Sequence, residues 1–179
     1  MLGRLHLVPA LTRPDLLAAP VHALLQTWPR AAEVLVAQID PALADTDVFC
    51  AEYAVDLADS GNCVVVAGRR GGDVRLAACL VLATTRVDVN GVVRRRLDVR
   101  KASFAPLEMA VQVTGMEYGG ITPVGLPADW PVLVDGPVAL AAQVVLGSGL
   151  RRSKLVLPGP ALVDLPNVEV LPGLGQPVA

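Results

Sequence analysis

Two adjacent glycines, and an aspartate after an apolar run, are the residues of this sequence whose types and spacing could support chemistry. Gly119 and Gly120 lie in the segment TGMEYGGITPVG, and Asp135 ends the apolar run VLV. Glycine lets a ligand approach the main chain, and consecutive backbone N–H groups can bind an anion or a developing oxyanion. A carboxylate at a strand end beside such a loop can bind a ligand. The pattern indicates either a site that polarises a carbonyl group or a tight structural turn.

Familiar catalytic motifs are missing from the rest of the sequence. There is no HExxH, CxxC, P-loop or GxGxxG pattern. The two histidines, His6 and His22, lie near the N-terminus, where a lone histidine is far more often a surface or core residue than a general base. The three cysteines have no metal-like spacing, and we expect them to be reduced and buried. The motifs therefore identify neither a metal site nor a nucleophilic triad.

The composition predicts one small, soluble domain. A chain of 179 residues can bury a core without a metal or a disulfide. It is 53% hydrophobic but only 3% aromatic, so we expect pockets lined by small aliphatic side chains. The apolar runs are too short to cross a bilayer, and the N-terminus lacks the pattern of a signal peptide. We therefore expect a cytoplasmic protein.

The basic residues are clustered, although the formal net charge is −2. The clusters are Arg69-Arg70, residues 94–101 and residues 151–154. Such patches could hold a phosphate backbone without strong general affinity for nucleic acid, or they could be solvated surface arginines. Charge alone favours the second interpretation.

Hydrophobic periodicity predicts interspersed strands and helices, and hence an α/β or α+β domain with a mixed sheet. Residues 62–67 and 74–83 are predicted to form a hairpin around a glycine turn. Residues 88–97 fit either an Asn-Gly hairpin or a helix capped by Asp88. The other predicted strands are residues 34–39, 100–104, 132–134, 143–147, 153–157 and 168–170. The other predicted helices are residues 14–28, split at Pro20, and residues 48–57, 106–114 and 160–165.

The glycine loop and its flanking residues together resemble the YbaK family. The family pattern is Thr-Gly, then Gly-Gly-Ile/Val-Ser/Thr-Pro-x-Gly, then a strand that ends in Asp. Here Thr114-Gly115, the run from Gly119 to Gly125, and Asp135 agree with it in type and spacing. Further matching residues are Arg100-Lys101 followed by Ala105, and Gly147-Ser148-Gly149 with Arg151. The likeness covers roughly residues 33–173 and is specific in combination.

The resemblance implies a single domain with a mixed, partly closed β-sheet flanked by helices, and it favours the helix at 88–97. The domain would span residues 33–173, with a helical extension at 1–32 and a tail at 174–179. The family contains free-standing aminoacyl-tRNA deacylases and the editing domain inserted in bacterial prolyl-tRNA synthetases. The implied partners are therefore aminoacyl-tRNA and, as a second candidate, a tRNA synthetase, without a membrane. No metal and no organic cofactor is implied.

The implied activity is hydrolysis of the ester between a wrong, small amino acid and tRNA. The amides around Gly119 and Gly120 would hold the carbonyl and stabilise its oxyanion, while Asp135 would shape the pocket and contact the substrate ammonium. A bound water or the neighbouring ribose hydroxyl would attack or assist. The implied substrate-binding residues are Thr122, Pro123, Gly125, Lys101, Ser148 and Gly149. The implied tRNA-binding residues are Arg100, Arg151 and Arg152.

One position departs from the family pattern. The family carries a lysine at the start of the strand predicted at 62–67, and this chain has Asn62 there. Asparagine can hydrogen-bond a carbonyl or a ribose hydroxyl but supplies no positive charge. Asn62 is therefore a candidate catalytic residue, and Lys101 could substitute for the charge from another strand. Three functions stay open: a trans-editing deacylase, a non-catalytic module that binds aminoacyl-tRNA, a nucleotide or a synthetase, and a hydrolase of another small ester or amide.

Overall fold

The computed structural model describes residues 2–178, which form eleven strands and six helices. The strands are β1 (Val8–Pro9), β2 (Leu35–Gln38), β3 (Gly61–Arg70), β4 (Asp73–Leu82), β5 (Thr85–Val87), β6 (Lys101–Phe104), β7 (Val132–Asp135), β8 (Val144–Gly147), β9 (Ser153–Leu157), β10 (Val168–Leu171) and β11 (Gly175–Pro177). The helices are α1 (Ala19–Leu25), α2 (Thr46–Tyr53), α3 (Arg94–Arg96), α4 (Leu107–Thr114), α5 (Gly136–Leu140) and α6 (Gly159–Val163). A π-helical turn, Val89–Val93, leads directly into α3.

Two main sheets form the framework. The five-stranded sheet has the order β10-β7-β4-β3-β6; β7 lies parallel to β4 and β10, and β3 lies antiparallel to β4 and β6. The four-stranded sheet has the antiparallel order β1-β2-β9-β8, and β5 pairs with β11. An isolated bridge between Ser60 and Val145 joins the edges of the two main sheets. The predicted mixed α/β fold is confirmed, and its partly closed sheet consists of these two joined sheets.

The largest hydrophobic core lies between the two main sheets. Leu80 and Val134 contribute from one sheet, and Leu146 and Leu155 contribute from the other. Helix α2 covers the outer face of the four-stranded sheet, and the helical segment 89–96 covers the outer face of the five-stranded sheet. The central strands are thus buried on both faces, which explains why their sequences are continuous apolar runs rather than alternating ones.

Several residues between 2 and 30 contribute to this same core. Strand β1 pairs with β2, and Leu16, Val21 and Leu25 are buried between the sheets. The helical segment predicted at 14–28 is divided as expected: Pro14–Leu16 form a 3₁₀ turn, and α1 begins at Ala19 with Pro20 in its first turn. A proline lacks the backbone N–H that a helix interior needs, so it is accommodated best in a first turn.

Local sequence patterns predicted the ends of some helices correctly and of others only approximately. The helix predicted at 88–97 is confirmed: the Asp88 carboxylate accepts hydrogen bonds from the backbone N–H groups of Gly91 and Val92 at 2.8 and 3.1 Å. Helix α2 ends earlier than predicted because Ala54 adopts a left-handed conformation. The segment expected as a tail at 174–179 contributes the buried Leu174 and strand β11.

Within residues 2–178, every helix is too short or too polar to cross a bilayer.

Candidate active site

A cavity of about 490 Å³ opens along one edge of β3. Strand β6 pairs with β3 only from Val66 to Arg69, and β8 forms a single bridge at Ser60, immediately before β3. Residues 61–65 of β3 lie between these two contacts and form one wall of the cavity. The other walls come from residues 44–46 before and within α2, from α4, from the loop 118–121 and from Lys154. We call this space the edge cavity.

The backbone of β3 is open toward the edge cavity. The N–H and C=O groups of successive strand residues point to alternate sides. The Val65 carbonyl accepts a hydrogen bond from the Ala105 N–H at 2.8 Å, so its side of the strand faces β6 and the cavity. The N–H and C=O groups of Cys63 point the same way, beyond the end of the β6 pairing. The cavity therefore offers a main-chain donor and acceptor beside small aliphatic side chains.

The two glycines of the loop have different roles. Gly119 has a φ of 76°, lines the edge cavity, and its N–H has no hydrogen-bond partner among residues 2–178. The Gly120 N–H donates to the Glu117 carbonyl at 3.0 Å, and the Gly120 carbonyl accepts from the Gly149 N–H at 2.7 Å. The expected pair of free amides is therefore reduced to one, because Gly120 is committed to holding the loop against the turn between β8 and β9.

Asn62 lies in the edge cavity with its side chain oriented by α2. The Thr46 hydroxyl donates to the Asn62 side-chain carbonyl at 2.6 Å. This hydrogen bond occupies the acceptor end of the amide and leaves its N–H groups as donors. Asn62 can therefore donate a hydrogen bond, without carrying a charge, to an acceptor that enters the cavity.

Lys154 is the residue of the cavity that the sequence did not indicate. It lies on β9, is only 8% exposed, and donates from Nζ to the Ala44 carbonyl at 2.9 Å. The pKa of Lys154 is lowered to about 8, mainly by burial and in part by the nearby Arg151, whereas Cys50 and Asp45 act in the opposite direction. The sequence placed Lys154 in a surface cluster with Arg151 and Arg152. The available signal was its position inside the otherwise apolar strand SKLVL.

Asp135 does not lie in the edge cavity. Strand β4 separates β7 from β3, and Asp135 is 3% exposed in the neighbourhood of Thr85 and Gly175. The expected position beside the glycine loop is therefore wrong. Strand β7 does end in Asp135, but β4 lies between β7 and the strand β3 that lines the edge cavity.

The remaining residues of the glycine motifs hold the framework behind the cavity. Thr122 and Pro123 are buried outside it, and the Val124 N–H lies 3.5 Å from the Thr122 hydroxyl. Gly125 packs closely on the Pro20 backbone, and Gly149 packs on Ala18. The Ser148 hydroxyl is fully buried and lies 2.7 Å from the Ser153 hydroxyl. None of these residues lines the edge cavity.

Arg151 links the segment before α2 to the glycine loop, and both contribute walls of the edge cavity. Its guanidinium lies 3.0 Å from both the Asp45 carboxylate and the Pro41 carbonyl, and it sits 5.5 Å from the centre of the Tyr118 ring. These contacts fix the orientation of the guanidinium between the two segments. Arg152 donates to the Asp15 carbonyl at 2.8 Å on the outer surface.

Lys101 does not reach into the edge cavity. It lines a separate surface groove with Arg69, Arg94 and Arg100, all of them exposed, and we call this groove the basic groove. Strand β6 links the two features, since Lys101 stands at one end of the strand and Phe104, a cavity residue, at the other. A basic surface therefore begins about 10 Å from the cavity mouth.

Two exposed aromatic rings stand at the mouth of the edge cavity. Phe104 is 58% exposed and Tyr118 is 57% exposed, in a chain with only 3% aromatic residues. Exposed rings of this kind supply flat apolar surfaces on which a planar group can stack.

Nucleophilic chemistry by a cysteine is disfavoured in this site. Burial raises the pKa of the Cys63 thiol far above its ordinary value, so the thiol is protonated at neutral pH. Across the described part of the chain, no three side chains of His, Cys, Asp or Glu are grouped so as to hold a metal ion. The groups that line the edge cavity can supply hydrogen bonds, from Asn62 and Gly119, and a positive charge, from Lys154.

Comparison with known proteins places the sequence in a family. The sequence matches the family described as "Aminoacyl-tRNA editing domain" over residues 40–165. No curated protein sequence matches the chain. A structure described as a candidate trans-editing enzyme for prolyl tRNA synthetase has a TM-score of 0.74 at 19% identity, covering 89% of this chain and 96% of that chain. The hypothetical protein APE2540 has a TM-score of 0.75 at 18% identity, covering 88% and 99%.

These likenesses to solved structures concern the fold, whereas the sequence match covers well over half of the chain. The matched range includes the β3 edge, the glycine loop and Lys154. The chain therefore belongs to the family of aminoacyl-tRNA editing domains, also called the YbaK family.

Proposed function

We propose that this protein is an aminoacyl-tRNA deacylase that hydrolyses, in trans, the ester of a tRNA charged with a wrong, small amino acid. The observation that carries the proposal is the edge cavity: hydrogen-bond donors and a buried ammonium group face small aliphatic walls, and two exposed aromatic rings stand at its mouth. Family membership supports the same substrate class.

The reaction requires little beyond polarisation of a carbonyl group, because an aminoacyl ester is already activated. Water, assisted by the neighbouring ribose hydroxyl, adds to the ester carbonyl carbon, and negative charge develops on the carbonyl oxygen. The Gly119 N–H and the Asn62 side-chain amide donate hydrogen bonds to that oxygen. The bond between the carbonyl carbon and the ribose oxygen then breaks, and the ribose oxygen takes a proton. The products are the free amino acid and the tRNA.

The size of the amino acid is limited by the cavity wall. Val64, Val65, Ala105, Ala110 and Ile121 are small or branched aliphatic residues that line it. A hydrophobic pocket discriminates poorly against a smaller ligand but excludes a larger one by overlap. The proposed substrates are therefore tRNAs that carry a small side chain such as alanine, serine, cysteine or proline.

The rest of the substrate has matching surfaces outside the cavity. The terminal adenine would stack on Phe104 or Tyr118, and the phosphates that precede it would follow β6 to the basic groove. In this arrangement Arg100 and Lys101 bind phosphates, whereas Arg151 positions the cavity wall.

A non-catalytic binding module is the second candidate, and two observations favour it. The Gly120 N–H is already bonded to Glu117, and Asn62 carries no charge. Such a module would keep the cavity and hold an aminoacyl-tRNA without cleaving it.

Deacylation of a panel of labelled aminoacyl-tRNAs separates these candidates. The panel includes alanyl-, cysteinyl-, seryl- and prolyl-tRNA, each with the native protein, with Asn62→Ala and with Asp135→Asn. We expect hydrolysis of at least one mischarged tRNA, with a much larger loss in Asn62→Ala than in Asp135→Asn, since Asp135 lies outside the cavity. Tight binding without hydrolysis above the spontaneous rate would establish the binding module instead.

A further inference from the structure

A buried lysine, Lys154, lies at the wall of the edge cavity. Lys154 shares the face of β9 that packs against α2, where Phe49 and Cys50 are buried. Its neighbours across the sheet are Ala37 on β2 and Gly147 on β8, neither of which carries an ionisable side chain. The ammonium group therefore lies at the boundary between an apolar layer and the cavity.

The ammonium group of Lys154 is incompletely satisfied within the protein. It can donate three hydrogen bonds, and one goes to the Ala44 carbonyl at 2.9 Å. The Phe49 ring lies 5.0 Å from Nζ and adds a cation–π contact. Within residues 2–178, Lys154 forms no ion pair, because the nearby Asp45 carboxylate is taken by Arg151. A buried charge held in this way costs stability unless a ligand supplies a further acceptor.

We propose that Lys154 is a catalytic residue whose ammonium group binds the carbonyl oxygen of the aminoacyl ester and stabilises the oxyanion that forms on it. This inference rests on the proposed deacylase function. The substrate's own ammonium group is excluded as a ligand by like charge, and the ester carbonyl is the acceptor that must enter the cavity for hydrolysis. Lys154, Asn62 and Gly119 all line that cavity, so the oxyanion would receive one charged and two neutral donors.

A role at the oxyanion differs measurably from a role in binding tRNA phosphates. An oxyanion donor acts on the rate of the chemical step, whereas a phosphate contact acts on affinity. Lys154→Met keeps the length of the side chain and removes the charge. We expect its single-turnover rate of deacylation to fall on the order of 100-fold to 1000-fold, with the affinity for uncharged tRNA, which has no ester carbonyl, unchanged. Lys154→Arg, which keeps a cation, should recover part of the rate.

The pH profile supplies a readout that a structural role would not change. The groups that set the charge of Lys154 are Cys50 in α2, Asp45 before it and Arg151 before β9. After subtraction of spontaneous hydrolysis, the native rate should fall as the pH rises through about 8, where Lys154 loses its proton. Lys154→Arg should show no such fall, because a guanidinium stays protonated. A native rate that rises through the same pH would overturn the cationic role.

A stable substrate analogue distinguishes failure of this inference from failure of the proposed function. In 3′-alanylamido-3′-deoxyadenosine the ester is replaced by an amide, so its carbonyl can bind without being cleaved. Native protein should bind this analogue at least about tenfold more tightly than Lys154→Met, even if no tRNA is hydrolysed. Equal affinities, or a Lys154→Met variant that deacylates within about threefold of the native rate, would overturn the assignment. Thermal unfolding of both proteins checks that the variant is folded.

Discussion

The Arg151 guanidinium and the Asp45 carboxylate are paired at 3.0 Å, which ties the turn before β9 to the start of α2. The pair closes one side of the edge cavity and removes from Lys154 the carboxylate nearest to it. The ion pair between Arg151 and Asp45 thus influences the electrostatic environment, and hence the pKa, of the buried Lys154 ammonium group.

Arg151→Met should therefore change the pH dependence of deacylation rather than its salt dependence. The variant removes a cation that lowers the pKa of Lys154 and frees Asp45, which raises it, so both effects move that pKa upward from about 8. We expect the upper pH limit of the single-turnover rate to rise by roughly one pH unit. Arg152→Met, whose guanidinium bonds to Asp15 on the outer surface, is the matched control and should leave the limit unchanged. A reduced salt dependence of tRNA binding in Arg151→Met would instead support a direct phosphate contact.

Asn62 and Thr46 should behave as one unit. Asn62→Ala removes a donor to the developing oxyanion and should lower the deacylation rate on the order of 100-fold. Thr46→Val removes only the hydroxyl that orients the amide, and we expect a loss of roughly tenfold or less. The double variant should be no slower than Asn62→Ala alone, because the hydroxyl acts through the amide. Additive losses in this cycle would show that Thr46 has an independent role.

Local sequence signals predicted most helices and strands of this fold, because the formation of these elements depends on residues that are close in the sequence. The hairpin of β3 and β4 follows from a short-range pattern, whereas the local pattern at 88–97 also fitted a hairpin, and the family resemblance favoured the helix capped by Asp88. The position of Asp135 was not predictable in the same way. Its strand could be identified from apolar residues, but the order β7-β4-β3 is a property of the whole sheet.

The arrangement of the residues around the edge cavity could not be predicted from the sequence. A glycine that permits close packing and a glycine that presents a free amide look the same in a sequence, so Gly120 and Gly119 could not be distinguished. Lys154 was assigned to a surface cluster with two arginines, since nothing in its neighbours along the chain shows that α2 covers it. Its burial is set by residues about a hundred positions away.

The two loop glycines should differ in their effect on stability. A side-chain carbon at position 120 would lie 2.7 Å from the Leu150 backbone, which cannot move without disturbing the turn before β9. We expect Gly120→Ala to lower the free energy of unfolding by about 2–3 kcal/mol. At Gly119 the obstacle is the movable Arg151 side chain, so the left-handed backbone is the main cost, about 1 kcal/mol. Gly136→Ala, whose added carbon would have no tertiary neighbour among residues 2–178 within 4 Å, is the control in urea unfolding. Equal losses at 119 and 120 would contradict this division of roles.

The aromatic rings and the basic groove should contribute to tRNA binding in different ways. Phe104→Ala and Tyr118→Ala each remove a stacking surface and should weaken binding of aminoacyl-tRNA by roughly 1–3 kcal/mol without changing its salt dependence. Lys101→Ala should reduce the slope of log affinity against log salt by about one. Leu140→Ala, at an exposed apolar residue outside the edge cavity and the basic groove, controls for loss of apolar surface. Unchanged affinity in both aromatic variants would place the terminal nucleotide elsewhere.

The buried charge of Lys154 should make the native protein less stable at neutral pH than at alkaline pH. Its pKa in the folded protein is about 8, below the ordinary value of 10.5, so between these values the unfolded chain binds more protons. The contribution of Lys154 to the free energy of unfolding therefore rises with pH across that window, by up to roughly 3 kcal/mol. Below pH 8 the full cost of the buried charge is present.

Lys154→Met removes this pH dependence. The variant should be more stable than the native protein near neutral pH, and its advantage should shrink as the pH approaches about 10.5. The thiols of Cys50, Cys63 and Cys79 act in the opposite direction, because their raised pKa values reduce stability at high pH, but both proteins share them. Urea unfolding of the pair at a series of pH values isolates the lysine. A difference in the free energy of unfolding that is constant with pH, or a variant that is less stable at neutral pH, would show that Lys154 is a structural group rather than a cation kept for a ligand.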